Sequence, residues 1–350
     1  MRVLIIADSK IPIPPKRYGG TERIVASLCA GLSSRGHAVT LMAAPGSCNY
    51  GRLVAYPWAG ESRKLYRGFC RLNFALKLTC ELVRGHDVAI SHSRADYLFP
   101  LLKSSTPLIY VFHNPIVDWV LEILHRKKKE NLRLIGVSNK QREGYSGQQW
   151  TTIYNGIDTA RYSFSEHPRR PAYLAFLGRL TYNKGVDTAI TVAKKTGLPL
   201  RIAGNISDEA GGREFFESRV RPHLDDDTIR WVGEITDDEK SEFLGGACAL
   251  LAPIRWDDPC PVVCSEALAC GTPVIAMPRG AMPELVQDGI NGYLVSSEAE
   301  MVQAVARINA ISRQACRADC EARFGDDLMV SRYLHVIRSL IGEKPDRAVS

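Results

Sequence analysis

Arg179 and Lys184 stand five residues apart in Gly178-Arg179-Leu180-Thr181-Tyr182-Asn183-Lys184-Gly185, a segment joining an apolar strand-like run to a helix-like one. In a parallel α/β sheet such a joint lies beyond the carboxyl end of a strand. Amide N–H groups and the positive end of a helix dipole point outward there. Two fixed cations at that place suit a diphosphate that gains negative charge as it leaves. Each charge-assisted contact is worth about 1.5–3 kcal/mol. By residue type alone, the same two side chains could frame an ordinary surface turn. Asp258 and Glu266 are separated by seven residues, and the second lies in a helix-like run before Cys270-Gly271-Thr272-Pro273-Val274-Ile275. Carboxylates accept hydrogen bonds from vicinal hydroxyls, so ribose or sugar diols are apt partners. A carboxylate pair at this spacing is also common on protein surfaces. Arg279–Glu284 and Asp288–Val295 carry glycines that imply tight turns, with Glu284 either a ligand contact or a capping group.

The first half offers fewer such groups. Gly19 and Gly20 precede a helix-like segment, as a backbone approaching an anion would require, and His113 stands at a strand end. A plain loop and a structural histidine would explain both equally.

The elements around these residues alternate in type. Strand-like runs are Val3–Ala7, Ala38–Ala43, Val88–His92, Leu108–Phe112 and Leu132–Val137. Helix-like segments lie near Thr21–Ser34, Arg63–Val83, Tyr97–Lys103, Asp118–Arg126 and Lys140–Ser146, and Gly36 suits a left-handed cap. After turn chemistry at Asn155-Gly156-Ile157-Asp158 the alternation restarts. Its strands are Tyr173–Leu177, Leu200–Ala203, Ile229–Val232, Ala249–Ala252 and Pro273–Met277. Its helices are Lys184–Thr196, Arg213–Pro222, one opened by the capping box at Thr236–Glu239, and Val262–Ala269 closed by Gly271. The expected fold is therefore α/β, with two Rossmann-like parallel-sheet domains at 1–160 and 161–325. A last amphipathic helix, Asp326–Leu340, lies within a tail domain at 326–345, and the end from Glu343 is expected to fray.

A chain of 350 residues suits two cores, and 45% apolar with 24% charged residues is an ordinary globular composition. No run reaches the roughly 18 apolar residues of a spanning helix. The opening Met1–Asp8 is too short and too soon acidic for a signal peptide, so a cytoplasmic location is expected. None of the ten cysteines forms C-x-x-C, and they read as buried, reduced residues with no metal site. Asp225-Asp226-Asp227 satisfies a loose D-x-D pattern, yet it reads as a solvated turn. The net charge of +7 attracts anions. Its densest run, His125–Lys129, reads as a helix end or as a surface meeting acidic lipid or a charged acceptor. No basic, aromatic-studded repeat points to nucleic acid. A dinucleotide dehydrogenase is excluded, because Asp8–Pro12 replaces the glycine motif after the first strand.

Together these segments resemble the retaining nucleotide-sugar glycosyltransferases of family 4, which have the GT-B fold, over nearly the whole chain. The resemblance implies an N-terminal acceptor domain and a C-terminal donor domain whose sheets face a cleft, with the last helix crossing back to the first domain. Arg179 and Lys184 match the family's diphosphate-binding pair. Glu266 matches the ribose-binding carboxylate, and Asp258 the one beside the donor hexose. His113 matches a histidine next to the transferred sugar. Gly19, Gly20, Gly233, Pro259, Cys260, Val262 and Val263 fall at donor-binding positions, and Asn155–Asp158 matches a hinge segment. Two residues depart from the pattern. Asp258 replaces the usual Glu, which shortens its reach by about 1.5 Å, and Pro261 removes a backbone donor.

The implied reaction moves a hexose from a nucleoside diphosphate sugar to a small-molecule, glycan or lipid-linked acceptor hydroxyl, with retention and without a metal or further cofactor. Peripheral membrane contact fits this reading, and the oligomeric state stays open. Lys184 is expected to stand open to ligand, so that Lys184→Ala would leave folding intact. A non-catalytic sugar-nucleotide binding protein and a GT-B sugar-nucleotide epimerase are the alternatives.

Overall fold

The computed structural model describes residues 1–17, 19–58, 60, 64–127, 131–225 and 227–342. Tyr18, Arg63, Lys128 and Lys129 of the basic run, Asp226 and the tail from Glu343 lie outside them. The chain divides into two compact units, crossing between Gly156 and Ile157 and again between Gly325 and Asp326, with Lys16 and Arg17 counted in the second unit.

The first unit is built on β1 (Arg2–Ile6), β2 (Ala38–Ala43), β3 (Arg52–Ala55), β4 (Val88–Ser91), β5 (Leu108–Phe112), β6 (Leu132–Gly136) and β7 (Trp150–Thr152). All pair in parallel, in the order β3-β2-β1-β4-β5-β6-β7. Near-continuous apolar runs such as Val3–Ile6 are buried because helices cover both faces of a parallel sheet. The second unit repeats the plan with β8 (Leu174–Leu177), β9 (Leu200–Ala203), β10 (Ile229–Trp231), β11 (Ala249–Ala252), β12 (Val274–Ala276) and β13 (Gly292–Leu294). Its order is β10-β9-β8-β11-β12-β13. In each sheet the order reverses beside the first strand, between β1 and β4 and between β8 and β11, which are the places where such sheets bind ligands.

Local chemistry explains most boundaries. Gly36 and Gly271 adopt positive φ after their helices, and Thr236 and Glu239 form a reciprocal capping box. The returning helix, Asp326–Ile341, belongs to the first unit and packs on Gly20–Ser34. A methyl group on Gly31 would meet Val330 Cγ2 at 2.5 Å, so the two helices cross where there is no side chain.

Some expectations need correction. Lys140–Ser146 is a series of turns, since Gly144 takes φ 86° and two glycines in eight residues stop a helix. Arg213–Pro222 is split into an α turn, a wider π turn and a 3₁₀ turn. The helix expected from Lys184 starts at Val186, because Gly185 at φ 74° separates it from the turn Tyr182–Lys184. Eight cysteines are buried, but Cys48 and Cys80 are exposed.

Candidate functional site

At the carboxyl edge of the second unit, Gly178 and Gly204 directly follow β8 and β9, and Gly233 comes two residues after β10. The Gly178 amide donates to Ala203 O at 3.0 Å, and the Gly204 amide to Gly233 O at 2.8 Å. A Cβ on Gly204 would lie 1.8 Å from Gly178 O, so only glycine lets these strand ends close together.

The two cations from the β8 joint are both paired. Arg179 hydrogen-bonds Glu209, on the loop after β9. Lys184 Nζ donates to Asp258 Oδ2 at 2.5 Å and lies 5.6 Å from the centre of the Trp256 ring. The Lys184 side chain is only 21% exposed and Asp258 is buried, so Lys184 does not stand open as the spacing suggested. The turn is fixed for steric reasons as well: a Cβ on Gly185 would lie 2.1 Å from Pro253 O, which holds the turn against the end of β11.

Asp258 is fixed by its backbone. Its carbonyl accepts from the Ala281 amide at 2.9 Å, and the Asp257 side chain accepts from the Gly280 amide at 3.0 Å. Gly280 has φ +54°, and a Cβ there would lie 2.2 Å from Asp258 O. This accounts for the glycine in the Arg279–Glu284 turn. Glu284 itself sits in the short helix Met282–Leu285.

Pro259, Cys260 and Pro261 are buried, and Val262 and Val263 half-buried, where the chain enters the helix Val262–Ala269. Pro261 is the residue before that helix, with φ −68°, so its ring fits the turn without strain. Glu266, in the second turn, is 3% exposed, and its Oε1 accepts from Lys240 Nζ at 2.5 Å and from the Tyr162 hydroxyl at 3.0 Å. Lys240 and Tyr162 escaped the sequence reading. A lysine in a helix and a tyrosine in a turn carry no signal until the fold brings them to a buried carboxylate.

A hollow of about 360 Å³ lies on the loop after β9 between Ile206 and Glu214. Asp208, Glu209 and Glu214 line it, which makes it a poor seat for a diphosphate. Asp225 accepts from the amides of Asp227, Thr228 and Ile229, and its bond from the Thr228 hydroxyl, followed by those amides, holds its carboxyl down at about 2. It is a turn-closing residue.

In the first unit, Gly19 takes φ 148° before the helix Gly20–Ser34, and a Cβ there would meet Pro15 at 2.8 Å. Burial, reinforced by Asp8, pushes the Glu22 carboxyl up from its usual value. His113 follows β5 and His92 follows β4, and their rings share a hydrogen bond, His92 Nδ1 to His113 Nε2, of 2.8 Å. Burial holds both neutral: His92 well below its ordinary value, with His113 adding to the effect, and His113 down to about 4 although the residue as a whole is only half-buried. The Gln141 side-chain amide donates to Phe112 O at 2.9 Å and to Asn114 O at 2.8 Å, clamping both neighbours of His113. Gln141 lies in the segment that the sequence assigned to a helix.

Both units match known protein families. Residues 160–323 match the family model described as glycosyl transferases group 1, and residues 18–161 match that of glycosyltransferase family 4. The glycogen synthase of Mycobacterium tuberculosis is 33% identical over 180 residues, covering 48% of this chain and 42% of that one. The chain thus spans less than half the length of this relative. A phosphatidyl-myo-inositol mannosyltransferase of the same species is 24% identical over 338 residues, covering 87% of this chain and 85% of that one. Among solved structures, that of the Anabaena protein HepE in complex with UDP superposes with a TM-score of 0.75 at 15% identity, covering 97% of this chain and 100% of that one. No helix among the described residues is long and apolar enough to cross a membrane.

Proposed function

Since the chain belongs to the group 1 glycosyltransferases and has the GT-B fold, we propose that it transfers a hexose from a nucleoside diphosphate sugar to an acceptor hydroxyl. The observation that carries this reading is the Lys184–Asp258 ion pair on the joints that follow β8 and β11, beside the switch point of the second unit, with Glu266 held by Lys240 in the helix that follows Asp258. UDP in a structural neighbour supports the choice of a nucleotide-sugar donor.

In the proposed reaction the anomeric C–O bond breaks and its electron pair goes to the diphosphate oxygen. Lys184 exchanges part of its contact with Asp258 for the phosphate, and Arg179 exchanges Glu209 likewise. The first amides of Val262–Ala269 offer further N–H groups. These groups supply the charge that a metal ion would otherwise bring. The acceptor oxygen bonds to the anomeric carbon on the face the leaving group departs from, and its proton passes to the leaving phosphate oxygen. Configuration is thereby retained. Asp258 then faces the hexose and Glu266 the ribose. His113, a neutral ring at pH 7, is suited to hydrogen-bond a sugar hydroxyl without adding charge.

The test is a panel of sugar nucleotides, read by release of nucleoside diphosphate with and without candidate acceptors. Acceptor-dependent release with a product of unchanged anomeric configuration and indifference to chelators is expected. Binding without release would favour a non-catalytic binder, and conversion of donor without acceptor an epimerase.

A membrane-borne acceptor is favoured by one surface of the first unit. The helix Lys64–Arg84 exposes Leu65, Phe69, Leu72 and Leu76, interleaved with exposed Arg67 and Arg71. An apolar stripe flanked by cations fits an anionic bilayer at the level of its head groups. The intact protein is expected to sediment with phosphatidylglycerol vesicles at low salt, and Leu72→Asp with Leu76→Asp to remain in solution. Equal sedimentation of both would remove this part of the reading.

A further inference from the structure

Glu266 is held asymmetrically. Lys240 and Tyr162 both act on Oε1, whereas Oε2 takes no hydrogen bond from any described residue. The three side chains come from separate elements: the turn Thr159–Arg161 ends at Tyr162, Lys240 lies in the helix Asp237–Gly245, and Glu266 in Val262–Ala269. Lys240 is only 6% exposed, and besides Glu266 its ammonium has Asp237 at 3.4 Å. Packing alone does not call for a lysine at a buried helix position, which an aliphatic side chain would fill without the cost of burying a charge. What the ammonium supplies is a counter-charge and a fixed direction for one carboxylate oxygen. The phenol adds a second restraint on that oxygen. With Oε1 occupied, the lone pairs of Oε2 are the ones left to accept from a ligand.

We propose that Lys240 and Tyr162 are positioning residues that lock Glu266 so that Oε2 is presented to a ribose hydroxyl, and that the preference for ribo- over deoxyribonucleoside diphosphates depends on them. This deepens the proposed donor-site role of Glu266 and rests on it. Without Lys240 the carboxylate keeps only the phenol of Tyr162 and turns within the site. The ribose then loses its acceptor, while diphosphate contacts made from Arg179 and Lys184 are untouched. A lysine that merely supported the fold would weaken all nucleotides alike.

The experiment is calorimetric titration of the full chain with UDP, GDP and ADP, followed by the 2′-deoxy and 3′-deoxy forms of whichever diphosphate binds best. The wild type is expected to bind the better of its deoxy forms no more tightly than the riboside and the worse one about tenfold or more weakly, as the loss of a hydrogen bond to a charged group implies. In Lys240→Met the riboside should weaken and the ribo-to-deoxy ratio should fall to about threefold or less. Lys240→Arg should restore most of the ratio, and Tyr162→Phe should lower it partway. If Lys240→Met weakens riboside and deoxyriboside equally and keeps the ratio, the proposal is wrong. If Lys240→Met does not fold, the other two variants decide: a wild-type ratio in Tyr162→Phe overturns it. A wild type that binds none of the three diphosphates would overturn the donor-site reading itself, and this proposal with it.

Discussion

The two sheets share a strand order around their switch points and differ in what stands at their carboxyl ends. In the second unit the first three strands run into Gly178, Gly204 and Gly233, and charge is brought in from the loops as the pairs Arg179–Glu209 and Lys184–Asp258. In the first unit the corresponding strands run into Ala7, Ala44 and Tyr56, and the next two end in His92 and His113, a pair kept neutral by burial. One edge is closed by glycines and carries cations held in ion pairs. The other presents rings that carry no charge. The same topology is therefore suited to two kinds of ligand chemistry, an anion on one unit and neutral hydroxyls on the other. Within the proposed reaction these are the departing diphosphate and the sugar or acceptor.

The comparison is broken most directly at Lys184. Lys184→Ala is expected to lower kcat about 10²–10³-fold, the cost of removing one preorganised charge from a developing oxyanion. Removing the ring in His113→Ala should cost about tenfold, since a neutral hydrogen bond is weaker. Because Asp258 is buried, Lys184→Ala also strands a carboxylate and should lower the melting temperature. Adding Asp258→Asn in the same chain should restore the melting temperature without restoring turnover. Near-normal turnover in the double variant would mean that the cation is structural. Next in size is the glycine edge. Gly204→Ala combines a φ of 141° with a contact of 1.8 Å to a carbonyl, and should cost about 2–3 kcal/mol in a denaturant titration. A loss below about 0.5 kcal/mol would show that the strand ends have room to spare.

Much of this framework was legible in the sequence, and the reasons are local. Ala38–Ala43, Leu108–Phe112, Leu200–Ala203, Ala249–Ala252 and Val262–Ala269 were read to the residue, because continuous apolar runs bounded by turn residues are the signature of buried parallel strands and their crossover helices. Arg52–Ala55 and Trp150–Thr152 went unread. They are short edge strands without a buried side chain, and their pairing is decided by neighbours far along the chain. Arg313–Phe324 was missed for a related reason. Its polar face is held by Arg313 and Arg317 donating to carbonyls of Ser165, Gly245, Ala247, Tyr162 and Ala269, none of which is near in sequence. The spacing of Arg179, Lys184, Asp258 and Glu266 marked chemistry. That Lys184 would pair with Asp258, and that Lys240 and Tyr162 would hold Glu266, depends on strand order, which residue spacing does not encode.

The smallest effect concerns the neutral pair, and its sign follows from linkage. In the unfolded chain both histidines take up a proton near pH 6.5. In the folded chain burial opposes protonation of both, with His113 down to about 4 and His92 well below its ordinary value. Between about pH 6.5 and 4 the unfolded state therefore binds protons that the folded state refuses, and stability falls as pH falls through that window. Above pH 6.5 neither state is protonated at these rings, and the contribution is constant. One fully excluded proton corresponds to about 1.4 kcal/mol per pH unit. His113 is only half-buried, which reduces its share, so about 1–2 kcal/mol per unit is expected for the pair. Urea titrations at pH 7, 6 and 5 measure the slope. His92→Leu removes one titrating ring, and the slope should fall to about half the wild-type value. An unchanged slope would assign the acid sensitivity to other groups, and the first unit would lose its claim to an uncharged edge.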